Sequence, residues 1–105
     1  MTVFVKLCGI KSMQALDAAS TGGADAVGFV VGVPSSPRNL TLDEARRLRR
    51  KAPTNVKTVL VMVPLSINDV IHAVEHVKPD LVQLHGVEFD ASKIPVPVIK
   101  GITNR

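Results

Sequence analysis

Short apolar runs alternate with helix-length amphipathic stretches along this chain, and that alternation constrains its fold more than any other feature. Runs at Val3 to Cys8, Ala26 to Val31, Val56 to Val63 and Asp80 to His85 read as strands. Between them lie helical patterns of roughly 10 to 14 residues, the spacing of parallel βαβ units rather than of hairpins. Helix boundaries are marked locally. Ser12 is placed to cap a helix running through Ala15, Leu16, Ala18 and Ala19 to a stop at Gly22-Gly23. Thr41 opens a second helix with Glu44 at capping-box spacing, and that helix ends before Pro53. Ser66 caps a third helix, from Ile67 to about Val77. Gly32 to Leu40 reads as a Pro- and Ser-bearing loop, Val87 to Ile94 as a short polar link, and Val96 to Ile102 as a fifth strand.

Strands that are apolar on both faces require cover on both faces. Helices on each side of an open, doubly wound sheet satisfy this, and so do helices outside and side chains inside a barrel. On pattern alone the five-stranded open sheet fits the length well. The strand ends weigh against its receiver-type form, which calls for an acidic residue at the end of the third strand. That end reads Leu60-Val61-Met62-Val63-Pro64, with no carboxylate.

Composition narrows the functional classes. With 105 residues, 46% hydrophobic and 21% charged, the chain has the balance of one globular domain, taken as residues 1–105. A single cysteine forms no internal disulfide, and no signal-like segment precedes the first strand, so a reducing, cytoplasmic setting is expected. The longest apolar runs, such as Val59 to Leu65, fall short of the roughly 20 residues of a membrane-spanning helix, so no membrane partner is expected. A formal charge of +4 and the run Arg46-Arg47-Leu48-Arg49-Arg50-Lys51 raise nucleic-acid binding as a possibility. The run ends a helix, where cations meet the negative end of the helix dipole, and no aromatic residue is interleaved with it to stack on bases. A solvated helix end is the preferred reading, with no nucleic-acid partner.

In a parallel α/β protein the carboxyl ends of strands display the reacting groups. Here those ends carry Cys8, then Ser35-Ser36-Pro37-Arg38, then Gln83-Leu84-His85-Gly86. A thiolate serves as a base, a guanidinium holds a carboxylate by paired hydrogen bonds, and an amide and an imidazole orient oxygen atoms. Lys6, two residues before Cys8, falls on the same strand face, where its charge favours the thiolate. Each group also has a plain structural reading: a buried small hydrophobe for Cys8, an exposed loop residue for Arg38, a strand cap for His85. His72-Ala73-Val74-Glu75-His76 matches the H-x-x-E-H pattern of zinc peptidases, but the stripe Val70, Ile71, Val74 and Val77 turns both histidines toward solvent. No metal site is expected, and no G-x-G-x-x-G follows any strand.

Four segments, Lys6-Leu7-Cys8-Gly9-Ile10, Gly23 to Val30, Ser36-Pro37-Arg38 and Val82-Gln83-Leu84-His85-Gly86 with Glu88, occur in the order and separation found in phosphoribosylanthranilate isomerases. The chain closely resembles that family of β/α-barrel enzymes over essentially its whole length. The resemblance implies about half of a TIM (β/α)8 barrel, roughly (βα)4 plus a fifth strand. It also implies a cofactor-free Amadori rearrangement of N-(5-phosphoribosyl)anthranilate to the aminoketose of tryptophan biosynthesis. Cys8 would be the general base at the sugar C2, Arg38 would hold the anthranilate carboxylate, and Gln83 and His85 would line the pocket.

In the family the general acid is an aspartate on strand six and the phosphate sits on turns after strands seven and eight, beyond the five strands counted here. Asp80, at the wrong end of its strand, and Asp90, in the link, are poor substitutes. Lys11 stands where the family usually has threonine. The expectation is therefore a fragment of a longer product, or a half-barrel that pairs with a second copy, with interior apolar side chains facing water and little turnover alone. A non-catalytic half-barrel assembly module and a basic nucleic-acid-binding domain are the alternatives.

Overall fold

The computed structural model describes residues 4–85 and 90–100. In chain order its elements are β1 (Lys6–Cys8), α1 (Met13–Thr21), β2 (Ala26–Val31), β3 (Asn39–Leu40), α2 (Leu42–Lys51), β4 (Lys57–Met62), α3 (Ile67–Val77), β5 (Leu81–Leu84) and β6 (Val98–Lys100), with a 3-10 turn at Ala91–Lys93 before β6. The caps fall where the sequence places them. The hydroxyls of Ser12 and Ser66 accept from the amides of Ala15 and Asp69 at 3.1 and 3.2 Å. Thr41 and Glu44 form a reciprocal capping box, at 3.1 and 2.9 Å. Helix α1 closes at Gly22, and Gly23 follows with φ 86°. Helix α3 ends on Lys78 in the left-handed region, and the Lys78 carbonyl accepts from Arg49 Nε at 2.7 Å.

All strand pairings are parallel, and the sheet order is β1-β2-β4-β5-β6 with β3 beside β2. The order never doubles back, so the sheet is singly wound, which separates a barrel segment from a doubly wound open sheet. Packing agrees. Val27, Phe29, Val31, Leu60, Met62, Val82 and Leu84 form one buried cluster with residues of all three helices, among them Leu16, Ala45, Leu48, Val70 and Val74. Ala26, Val30, Val59 and Val61, on the opposite face, form a second, smaller cluster with Val33 and Leu81, to which, among the described residues, no helix contributes.

That second face is concave. Lys6 on β1 donates through its ammonium to Gln83 Oε1 on β5, although β2 and β4 lie between them. Three strand spacings amount to about 14 Å along a flat sheet, beyond what two such side chains bridge, so the sheet curls toward closure. Curvature also corrects the expectation that the interior apolar residues face water: Ala26 and Val59 are fully buried and Val30 and Val61 nearly so. Most exposed large apolar residues sit instead at the sheet edges, with Phe4, Val5 and Leu7 by β1 and Ile99 on β6, and on the rim at Val63 and Leu65; Met13 is exposed at the start of α1.

Segment 32–40 is not wholly loop. Asn39 Oδ1 accepts from the Val33 amide at 2.7 Å, which folds the segment back so that Asn39 and Leu40 pair with Val30 and Val31. Gly86 and, in the polar link, residues 87–89 lie outside the described residues, as do Val3 of the first strand and residues 101–102 of the last. His76, of the H-x-x-E-H run, pairs with Asp43 of α2 at 2.7 Å, and His72 is exposed. Among the described residues no group of three potential ligands is arranged to hold a metal ion, and no helix is long and apolar enough to cross a membrane.

Candidate active site

Cys8 closes β1 opposite Gly28 of β2, and the missing side chain at position 28 makes room for the thiol. A Cβ on Gly28 would lie 3.1 Å from Cys8 Sγ and 3.3 Å from Val61 Cγ2. The sulfur therefore rests on bare backbone on the concave face, where it remains exposed to solvent. The chain turns away at once: Gly9 has φ 83°, and the amides of Gly9 and Ile10 both donate to the Gly28 carbonyl at 3.0 Å.

Arg38 reaches the same rim from the loop after β2. Its side chain lies across Gly9, with Nε 2.8 Å from where a Cβ would stand, so a side chain at position 9 would displace it. Three side-chain contacts hold that loop, beside backbone bonds from Ser36 to Val33 and from Asn39 to Ser36. Beside the Asn39 bond, the Arg38 amide donates to Ser36 Oγ at 3.1 Å and Lys11 Nζ donates to the Pro37 carbonyl at 2.8 Å. Lys11 thus joins the β1–α1 loop to the loop that carries Arg38; Ser35 is exposed.

The third contribution comes from β5. Gln83 pairs in register with Val61 and lies on the Cys8 face of the sheet. Its Nε2 is 3.0 Å from His85 Nε2, and the His85 backbone amide anchors the rim by donating to the Met62 carbonyl at 3.0 Å. Lys6 completes the row through Gln83 Oε1, so its ammonium is engaged by an amide.

The carboxylates Asp25 and Asp80 stand at the other rim. Asp25 accepts the Val5 amide at 2.7 Å, and Asp80 accepts both the amide and the hydroxyl of Thr58, at 2.8 and 3.1 Å. Asp90 is tied into its own turn: hydrogen bonds from the Ser92 hydroxyl and amide hold its carboxyl below the ordinary value, which suits an acceptor and not an acid. A hollow of about 450 Å³ is walled by Asp43, Arg46, Arg47, Arg50 and Lys51 on the outer side of α2. It is a gap among solvated charges, and the strand-end site is the chemically better furnished place. A thiol, a guanidinium, an amide and an imidazole at one rim can take a proton, hold an anion and orient oxygen atoms.

A family model described as N-(5'-phosphoribosyl)anthranilate isomerase matches residues 5–104. The chain belongs to the phosphoribosylanthranilate isomerase family. The isomerase of Methanosarcina acetivorans is 37% identical over 106 residues, covering 94% of this chain and 44% of the relative. Among solved structures, the phosphoribosylanthranilate isomerase of Thermotoga maritima superposes with a TM-score of 0.85 at 36% identity, over 94% of this chain and 50% of that one. An isomerase in complex with reduced 1-(o-carboxyphenylamino)-1-deoxyribulose 5-phosphate superposes with a TM-score of 0.86 at 35% identity, over 98% of this chain and 56% of that one. The chain spans about half the length of the curated relatives it matches. Its fold is accordingly the half of an isomerase β/α barrel that holds these strands.

Sequence reasoning named Cys8, Arg38, Gln83, His85 and Lys6, and all five lie on the concave face or its carboxyl-end rim. It missed Gly28 and Gly9 as the cradles of Cys8 and Arg38, and Lys11 as the tie between their loops. A lone glycine inside an apolar strand is itself a signal of close approach, and Gly28 is such a residue.

Proposed function

We propose that these residues form the base-and-carboxylate side of a phosphoribosylanthranilate isomerase active site, acting in the cytoplasm in tryptophan biosynthesis. The observation that carries this is the convergence of Cys8, Arg38, Gln83 and His85, drawn from β1, the loop after β2 and β5, on one rim of a family-matched half-barrel. The substrate is N-(5-phosphoribosyl)anthranilate, a phosphorylated sugar joined to an aromatic carboxylate. Arg38 pairs with that carboxylate through two hydrogen bonds. After the furanose opens to a C1=N iminium, Cys8 as thiolate takes the proton from C2. The C–H electron pair forms C1=C2 and neutralises the iminium nitrogen. Protonation at C1 and loss of the hydroxyl proton at C2 then yield the ketone. Carbon 2 is oxidised and carbon 1 reduced within one molecule, so the step balances without a cofactor.

The proton donor for ring opening and the phosphate cradle belong to a complementary half-barrel that seats on the concave face between the β1 and β6 edges. Exposed Val5, Leu7 and Ile99 along those edges support such a partner; a second copy of this chain would cover the same edges, yet it carries the same residues and so supplies neither group. The test is turnover of freshly generated phosphoribosylanthranilate, followed by loss of its fluorescence, with this chain alone and with the carboxyl-terminal half of the Methanosarcina acetivorans relative added. Turnover that appears on mixing and vanishes in Cys8→Ala supports the reading. Turnover that is indifferent to Cys8 removes it.

A further inference from the structure

The Lys6–Gln83 contact constrains which end of the Gln83 amide faces His85. An ammonium only donates, so the Gln83 atom that meets Lys6 Nζ is the carbonyl oxygen, Oε1. The other end of the amide, Nε2, only donates, and it is the atom 3.0 Å from His85 Nε2. A ring nitrogen that accepts a hydrogen bond carries no proton, and a neutral imidazole has one proton to place. We propose that Lys6 is a positioning residue which, through Gln83, holds neutral His85 in the Nδ1-protonated tautomer. His85 then meets a ligand oxygen as a donor through Nδ1–H, while its Nε2 is occupied by Gln83 and serves no proton transfer.

Three features make the relay specific. Lys6 and Gln83 are 77 residues apart and separated by two strands, so the contact exists only when the sheet curls. Lys6 is half-buried, which limits the water that competes for its ammonium. The backbone of His85 is pinned to β4 at Met62, which fixes the ring's root while the amide fixes its orientation. Lys6 thereby does different work from the thiolate support that its place beside Cys8 suggests. The consequence for a bound substrate rests on the isomerase reading; the tautomer does not.

The experiment is long-range proton–nitrogen NMR of the histidine rings in the uniformly labelled 105-residue chain at about pH 8, above the ordinary imidazole range. His85→Gln identifies which of the three ring systems belongs to His85. The unsubstituted chain is expected to show His85 Nε2 at the far-downfield position of an unprotonated nitrogen, with Nδ1 protonated. Lys6→Met relaxes this to a mixture of tautomers, and Lys6→Arg, which also only donates, restores it. Gln83→Glu presents two acceptor oxygens, one for Lys6 and one for the ring, and moves the His85 proton to Nε2. An Nε2-protonated ring in the unsubstituted chain overturns the proposal, as does a Lys6→Met chain with folded amide signals and an unchanged ring pattern. If Lys6→Met does not fold, Gln83→Glu decides: a ring that stays protonated at Nδ1 overturns the relay. Turnover plays no part in these spectra, so failure of the isomerase reading and failure of the relay are seen separately.

Discussion

Cys8 owes its position to a residue with no side chain. In the Gly28→Ala variant the new Cβ would press on both Cys8 Sγ and Val61 Cγ2, closer than ordinary contact. Overpacking of this kind costs about 1–3 kcal/mol, so a lowered urea midpoint is expected, together with altered alkylation of the thiol at position 8. A variant with unchanged stability and unchanged thiol reactivity would show that the strand has slack there. The chemical groups separate by what they do in the proposed reaction. In the reconstituted enzyme, Cys8→Ala is expected to lower turnover by roughly 10²- to 10⁴-fold, the usual worth of a general base, while affinity for the reduced product analogue stays within a few-fold. Arg38→Ala is expected to weaken that affinity by roughly ten- to a hundredfold, as loss of charge-assisted hydrogen bonds does. Equal loss of binding and rate in Cys8→Ala would reassign the thiol to binding.

Among the elements, α2 shows how a few residues set a boundary and a pH dependence together. Asp43 and Glu44 sit in its first turn and Arg49, Arg50 and Lys51 in its last, so charge complements the helix dipole at both ends. The Thr41 amide bond, then the Thr41 hydroxyl, hold the Glu44 carboxyl below its ordinary value, assisted by Arg47 and Lys11. A carboxyl lowered by folding contributes stability above its unfolded value, near 4.5, and loses it as pH falls through the folded value. Urea midpoints measured from neutral pH down into the acid range should therefore fall less steeply below about pH 4.5 in Glu44→Gln than in the parent chain. Thr41→Ala removes the hydroxyl acceptor and is expected to cost about 1 kcal/mol at neutral pH. Parallel acid profiles for Glu44→Gln and the parent would show that the carboxyl lacks this role.

At the level of the whole molecule, the concave face is largely buried within the chain while both sheet edges carry exposed apolar residues. Open parallel edges with Val5 and Leu7 at one side and Ile99 at the other favour association. The chain by itself is expected to elute as a concentration-dependent oligomer, and the added complementary half to convert it to a one-to-one complex. Size-exclusion chromatography with light scattering reads both. A clean monomer that ignores the added half would argue against the half-barrel partner.

The elements and the chemical cast of this protein follow from the sequence by itself, because both are local matters. Ser12, Thr41 with Glu44, and Ser66 choose their helix starts within three residues, and the strand ends announce Cys8, Arg38, Gln83 and His85 by position. What only the tertiary structure decided depends on contacts remote along the chain. Pattern alone favoured an open sheet covered on both faces; the unreversed strand order and the placement of every helix cluster on one face make it a barrel segment. Burial of Ala26 and Val59 follows from sheet curvature, which no single strand encodes. Asn39, in a stretch that reads as loop, becomes strand through one side-chain bond to Val33. The same curvature brings Lys6 to Gln83 across two intervening strands, and so the state of His85 is set by a residue that no local pattern connects to it.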